Sequence, residues 1–568
     1  MSDHTHFIMG LKELQNKRDI ATALDIEYKE LTYILYGRKT DNLYITFEIP
    51  KRNGGVRTIE APLEPLKSVQ KSIANELYSE LRKYYPDNLQ LYYAHGFVKG
   101  KGIISNATVH RNKKYILTID LENFFDSFHF GRVKGYFEKN RYFKMSSEAA
   151  LCIAQLTCYK GKLPQGAPSS PIITNLICSI LDRRIALIAR KYKVIYTRYA
   201  DDLTFSTNDK YFGEKHEQFL VELSKEIQKA GFKINDSKTR FLRNNRRQEV
   251  TGLIVNDRVN VKREYYKATR SMAHNLYCGK EVSVNGEPIS IASIEGRLGF
   301  INQLDKYHNI KEGQNKNIYK LNARERQYRN FLFYKYFYSN TKPLIVTEGK
   351  TDILYLKAAL KKMFKNYPNL IRQKKDGSFE YLVTFLNKSK RLQFLLGINL
   401  DGADAMKNIY NYYVGEHAFP NLWEKFSSLN SRIPERPVLL IFDNEQITNR
   451  PLKQFLRHTK QEPILESQYW RRLVNNLYVV TCPLVNEKQE CEIEDLFPLE
   501  VLAHEIDGKK FDRKSSDNTQ YYGKAAFSRY VMSNYMNIDF SQFKDFLDAI
   551  DSAIGDYSIQ LKDVRDGK

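Results

Sequence analysis

The chain has no run near the roughly 18 consecutive apolar residues that a membrane-crossing helix needs. Its start, Met1-Ser2-Asp3-His4-Thr5-His6, lacks the apolar core of a signal peptide. These absences set the expectation of a cytoplasmic chain with no membrane partner. The six cysteines, at 152, 158, 178, 278, 482 and 491, form no CxxC pair and no Cys/His spacing suited to zinc, so free thiols are expected. No tandem repeat or low-complexity block is present, which excludes a repeat architecture. At 568 residues the chain is too long for one core and calls for at least two domains.

What is present is positive charge, unevenly placed. Lys and Arg number 89 against 66 Asp and Glu, a net +23. Residues 341–568 hold 33 basic and 30 acidic side chains, which leaves 56 and 36 for residues 1–340. Almost all of the excess therefore lies in the first part, where it suits a surface that holds nucleic acid through its phosphates. Thirty-nine Tyr and 32 Phe interleave with those charges. Most are expected in the core, and a minority on basic faces would stack unpaired bases.

Tyr199-Ala200-Asp201-Asp202 stands between two β-like apolar runs, Ile195-Tyr196-Thr197-Arg198 and Leu203-Thr204-Phe205-Ser206. Two adjacent carboxylates at a tight turn repel each other and lose hydration, a cost that a divalent cation would offset. Two-metal phosphoryl transfer needs a further carboxylate from another strand. The run Lys114-Tyr115-Ile116-Leu117-Thr118-Ile119 delivers one, Asp120. Between the acidic sites lies Leu163-Pro164-Gln165-Gly166-Ala167-Pro168, where Pro and Gly break regular structure and Gly allows close backbone approach. Lys51 to Ile59 reads as a hairpin with Arg57 placed to grip phosphate.

Asp120, the Gln-Gly loop and the Asp pair, in that order, resemble the palm of reverse transcriptases. Asn106-Ala107-Thr108-Val109-His110, Val250-Thr251-Gly252 and Ile294 to Ile301 are similar to elements of the retron reverse transcriptases in particular. The resemblance implies an α/β multidomain chain whose first part is a right-hand polymerase. It places fingers and palm at about 1–255 and a thumb at about 256–340. It further implies Mg²⁺ held by Asp120, Asp201, Asp202 and the Leu121 carbonyl. Arg57, Phe125, Gln165 and Gly166 would meet the incoming deoxynucleotide triphosphate, with Phe125 set to exclude a ribose 2′-OH. Asn106, His110, Val250, Thr251 and Gly252 would bind RNA. The expected partners are the chain's own noncoding RNA and the branched RNA-DNA hybrid made from it, with a role in antiphage defence. No segment looks like a ribonuclease H domain.

A polar break ending in Pro, Tyr338 to Pro343, precedes a new α/β unit, 341–568, with a helical extension at its end. Leu344-Ile345-Val346-Thr347 reads as a buried strand, Glu348 to Asp352 as a turn, and Ile353 to Lys361 as a helix. Pro437 to Phe442 reads as a second strand delivering Asp443-Asn444-Glu445, and Tyr478-Val479-Val480 as a third. Acidic residues at the carboxyl ends of strands in an open α/β sheet would converge on one metal site. The pattern resembles a Toprim domain, a Rossmann-like Mg²⁺ module, with Gly402 in its middle turn. Asp-Asn-Glu in place of the commoner Asp-x-Asp is similar to the overcoming-lysogenization-defect nucleases. That implies catalysis by Glu348, metal binding by Glu348, Asp443 and Glu445, contributions from Asp352, Glu494 and Lys524, and a nucleic-acid target. A homo-oligomer around the nucleic acid is a further expectation. Two alternatives stay open: a polymerase of the group II intron type, and a C-terminal half that is a non-catalytic scaffold.

Overall fold

The computed structural model describes residues 13–51, 54–84, 91–284, 286–311, 317–399, 404–430, 432–513, 517 and 519–566. Gly402, Arg52 and Asn53 lie outside the described residues. The chain divides into two compact units, Met1–Arg263 and Glu264–Lys568.

The first unit is built on six principal strands: β1 (Tyr44–Pro50), β2 (Val56–Pro62), β3 (Tyr115–Leu121), β4 (Ile195–Tyr199), β5 (Asp202–Thr207) and β6 (Ile234–Arg243). β1 and β2 form a separate antiparallel hairpin in which Ile49 faces Arg57 and Phe47 faces Ile59. The others make an antiparallel sheet in the order β4-β5-β3-β6. In β3, Ile116, Leu117 and Ile119 are buried, as a β-branched run covered by helices should be. The long helix Ser170–Lys191 starts where Pro171 fills a first-turn position and lays Ile172, Ile173, Leu176, Ile185 and other apolar residues into the same core. A short hairpin, β7 (Glu249–Val250) with β8 (Leu253–Ile254), closes through Thr251 at φ 46° and Gly252 at φ 82°. Two successive positive φ values are what a type I′ turn requires, which accounts for the glycine.

The second unit carries a five-stranded sheet in the spatial order Thr384–Phe385, Leu344–Thr347, Val438–Phe442, Leu477–Thr481, Trp470–Val474. All neighbours are parallel except the last pair. Every residue of the three central strands is buried, the pattern of a parallel sheet covered on both faces. The helices Asp352–Lys362 and Lys544–Arg565 bury Leu356, Ala359, Phe546, Leu547 and Ile550 in a cluster with Ile345, Leu439 and Val480. The alternate strand residues Leu344, Val346, Leu440 and Val479 enter a different cluster with Tyr328, Phe331, Phe333, Phe337 and Tyr412. Residues of the 256–340 segment thus share a core with the α/β sheet that follows them.

Candidate palm and sheet-edge carboxylate sites

β3 brings Asp120 directly opposite Asp202 of β5, and Asn235 of β6 lies on its other side. Side chains paired in this way have Cβ atoms about 4.5–5.5 Å apart. Asp201 occupies the turn between β4 and β5, and its carbonyl accepts the Leu121 N–H at 3.1 Å. Asp120, Leu121, Asp201 and Asp202 therefore share one end of the sheet. Burial, then Asp201 and Asp120, push Asp202 up to about 7. Burial also raises Asp201, with Asp120 adding to it and Lys238 and Arg57 opposing it, so Arg57 of the β1–β2 hairpin acts electrostatically on this cluster.

The turn stands on a buried polar foundation. Ala200 takes φ 55°, a left-handed conformation that costs a residue with a Cβ about 1–3 kcal/mol and persists only where its surroundings enforce it. Arg198, 0% exposed, supplies that enforcement: its Nη1 donates to the Ala200 carbonyl at 3.2 Å and to Asn175 Oδ1 at 3.1 Å. Its Nε and Nη2 form a bidentate pair with Asp182, both at 2.8 Å. The Tyr196 hydroxyl also donates to Asp182, and Asn175 Nδ2 donates to the Gly96 carbonyl. Gly96 lies so near that a Cβ there would stand 2.7 Å from Ala200 N.

Asp120 accepts Lys238 Nζ at 3.0 and 3.1 Å and Asn235 Nδ2 at 3.3 Å. Lys238 lay outside the sequence reading, because a lysine on a half-exposed strand looks like any solvated charge. Among the described residues no group of three or more His, Cys, Asp and Glu side chains is set as a ready metal cage. Asp120 is instead turned to the Lys238 ammonium and the Asn235 side-chain amide. As a donor set, three clustered carboxylates under mutual repulsion still fit a hard divalent cation.

The Gln165 carbonyl accepts the Glu60 N–H of β2 at 2.9 Å. Gly166, at φ 137°, is so close that a Cβ would meet Glu60 O and Ile59 Cγ2 at 2.8 Å each. The loop thereby docks the hairpin carrying Arg57. Phe125 is half-buried, edge-on to Phe124 with ring centres 5.5 Å apart.

Three residues expected to touch RNA do not reach the surface. Asn106 and His110 are 0% exposed and Val250 is 1% exposed. His110, which ends the helix Ile103–Val109, bonds Ser206 Oγ through Nδ1 and Thr197 Oγ1 through Nε2, both at 2.7 Å. The Thr197 hydroxyl donates to Asn106 Oδ1 at 2.6 Å. Burial pulls His110 down to about 3, so it is a neutral imidazole that ties this helix to β4 and β5. Only Thr251, half-buried, and Gly252, exposed, remain available for contact.

In the second unit Glu348 and Asp443 follow the ends of adjacent parallel strands. Burial, then Asp352 and Glu445, push Glu348 up to about 7. Burial, with Asp352, Glu348 and Glu494 adding to it, holds Asp443 well above the usual carboxylate range. Asp352, Glu445 and Glu494 thus lie near enough to Glu348 or Asp443 to raise them by charge repulsion. Asp443 accepts the Ile493 N–H at 2.8 Å, and Asp352 accepts the Gly349 N–H at 2.7 Å. Glu494, 0% exposed, pairs with Lys524 at 3.0 Å, and Lys524 also reaches Glu492 at 3.3 Å. Glu348 Oε2 and Glu494 Oε1 are buried and have no hydrogen-bond partner. A buried carboxylate oxygen without a partner, raised by neighbouring acidic groups, fits a cation better than it fits bare burial.

The first unit thus joins carboxylates on neighbouring antiparallel strands to a Gln-Gly loop docked on the hairpin that carries Arg57. Residues 49–259 match the family model described as reverse transcriptase (RNA-dependent DNA polymerase). The retron Ec86 reverse transcriptase of Escherichia coli is 34% identical over 300 residues, covering 52% of this chain and 87% of that protein. The retron Mx162 enzyme of Myxococcus xanthus is 32% identical over 326 residues, 52% of this chain and 65% of that one. The Mx65 enzyme of the same organism is 33% identical, 52% and 70% respectively. Among solved structures, apo telomerase from Candida Tropicalis aligns with a TM-score of 0.31 at 15% identity over 51% of this chain and 60% of that one. The chain belongs to the retron reverse transcriptases.

Proposed function

We propose that the chain is an RNA-directed DNA polymerase that copies its own noncoding RNA into a branched, RNA-linked single-stranded DNA. The observation that carries this reading is the placement of Asp120 opposite Asp202, with Asp201 in the adjoining turn. Asp120, Asp201, Asp202 and the Leu121 carbonyl would hold two Mg²⁺ ions. Bound there, the ions supply charge that activates the primer hydroxyl and stabilises the leaving pyrophosphate. The chain's own contribution is position. Arg198 holds the turn, the Gln165–Glu60 bond would set Arg57 toward the triphosphate, and the ring of Phe125 would exclude a ribose 2′-OH. Thr251 and Gly252 offer an exposed turn to RNA.

For the second unit the proposed activity is that of a Toprim nuclease acting in antiphage defence on a nucleic-acid target, with Glu348, Asp443 and Glu445 as metal ligands. Glu348 is also its catalytic carboxylate. Asp352, Glu494 and Lys524 would set the charge around it. The buried, unpartnered Oε2 of Glu348 supports this over a scaffold, since a scaffold gains nothing from a buried carboxylate oxygen without a partner.

One experiment tests both halves. Asp201→Asn with Asp202→Asn, near-isosteric and uncharged, should leave a folded protein that makes no DNA. Glu348→Gln or Asp443→Asn should leave DNA synthesis intact and abolish protection of infected cultures. Synthesis within a few fold of native by the palm variant would defeat the first assignment, and full protection by the Glu348 or Asp443 variants the second.

A further inference from the structure

The second unit contains a cleft of about 710 Å³ away from the carboxylates at the strand ends. Its walls come from residues 317–319, the helix Lys390–Leu396, the helix Asp404–Val414, the loop after that helix and His458 of the helix Pro451–Thr459. The volume lies within the range of small-molecule sites, roughly 300–1,000 Å³.

The lining is neither apolar nor randomly polar. Lys390 and Lys407 bring two ammonium groups, and Asp404, the acidic residue of the lining, is already engaged by Lys407 at 3.5 Å. The imidazoles of His417 and His458 stack with centres 4.5 Å apart. His458 Nε2 donates to Asn411 Oδ1 at 2.8 Å, and the buried Asn411 amide is part of the lining. Asn408 Nδ2 donates to the Gly397 carbonyl at 2.9 Å and fixes the floor. A Cβ on Gly397 would stand 2.6 Å from Asn408 Nδ2 and 3.1 Å from Ile318 Cδ1, so this floor is closed to any larger residue. Tyr319, 62% exposed at the rim, and half-buried Phe394 add aromatic rings. His417 and Ala418 follow one another at φ 53° and 65°. Two consecutive left-handed residues with side chains are costly, and such strain concentrates at ligand sites.

Cations with amide donors suit an anion, and rings beside them suit a flat heterocycle. We propose that this cleft binds a nucleotide, with Lys390 and Lys407 on the phosphate, the Asn411 amide as a further donor, and the base stacked on Tyr319 or Phe394. The same chemistry comes from two sources, a free nucleoside triphosphate or the 5′-phosphorylated end of a single strand. The cleft shares no lining residue with the palm or with the strand-end carboxylates, so it stands or falls independently of the proposed activities.

The test uses the full chain with Asp201→Asn and Asp202→Asn throughout, which holds any nucleotide binding in the palm constant. Calorimetric titration with ATP, with a 5′-phosphorylated octanucleotide and with its 5′-hydroxyl counterpart reports the affinities. Adding Lys390→Ala and Lys407→Ala should weaken the tighter probe by about tenfold or more, the loss expected when two charge-assisted contacts go. Tyr319→Ala should weaken it further, and Lys390→Arg with Lys407→Arg should restore most of the affinity. Lys390 is exposed and Lys407, 21% exposed, holds only Asp404 and Gln454, so the melting temperature should fall by little. Tighter ATP identifies a free nucleotide as the ligand; a preference for the phosphorylated over the hydroxyl oligonucleotide identifies a strand end. No binding by any probe, or equal binding by the Lys390 and Lys407 double variant, overturns the proposal.

Discussion

Arg198 and Asp182 form a bidentate ion pair, both N–O distances 2.8 Å, directly behind the turn that carries Asp201. Removing one partner of such a pair leaves an uncompensated buried charge, which costs about 3–5 kcal/mol, whereas replacing both with apolar groups is often nearly neutral. Arg198→Met should therefore lower the melting temperature of the first unit sharply. Combining it with Asp182→Leu should recover most of that loss without recovering DNA synthesis, because the Ala200 carbonyl still lacks its donor. Calorimetry and primer extension on the same preparations check both halves, and a double variant as active as the native chain would remove Arg198 from the positioning of the turn.

Gly166→Ala should cost about 1–3 kcal/mol from its conformation alone, since φ 137° is foreign to a residue with a Cβ. The new methyl would also press on the Glu60 carbonyl, which is backbone and cannot rotate away. Displacing the β1–β2 hairpin should raise KM for deoxynucleotides more than it lowers kcat. Steady-state kinetics with saturating template read the split.

Phe125→Ala should admit ribonucleotides, because losing a half-buried ring packed edge-to-face with Phe124 would open room beside the sugar. The ratio of ribonucleotide to deoxynucleotide incorporation should rise. An unchanged ratio would make Phe125 a packing residue only.

Glu76 lies 5% exposed in an apolar pocket of Leu14, Ile20, Ala23, Leu24, Ile73 and Leu77, with Oε1 unpartnered. Burial, with Glu80 adding to it, pushes it up to about 7 from an ordinary 4.5. The folded state therefore binds the proton more tightly than the unfolded one. Its favourable contribution is complete below pH 4.5 and is lost as pH rises through 7. Glu76→Gln should stabilise the first unit at pH 8 by on the order of 2 kcal/mol and leave it unchanged at pH 4.5. Melting curves at the two values check the sign.

Which features could be read in advance follows from where their partners lie in the chain. Leu344–Thr347 matches its apolar run residue for residue, and the Val438–Phe442 and Leu477–Thr481 strands fall within one or two residues of theirs, because a strand buried on both faces writes its own signal. Trp470–Val474 carries two arginines as an edge strand, and Thr384–Phe385 is two residues long, so neither leaves a pattern. Asp182 looks like an ordinary helical charge until the fold sets Arg198 against it. Asn106 and His110 were visible as a motif, but their role was not. The partners Thr197 and Ser206 are some ninety residues away, and only strand pairing reveals that a polar cluster seemingly made for RNA is spent inside the protein.

Gly96 gives this geometry an evolutionary edge. Most crowded positions can drift, because a neighbouring side chain finds another rotamer. Here the obstacle, 2.7 Å from where a methyl would begin, is the main-chain nitrogen of Ala200. Any replacement at 96 must shift main chain, at 96 itself or at Ala200, the residue before Asp201. The smallest residue beneath the turn thus acts as a ratchet on sequence change: its neighbours can be exchanged in compensating pairs, and it cannot.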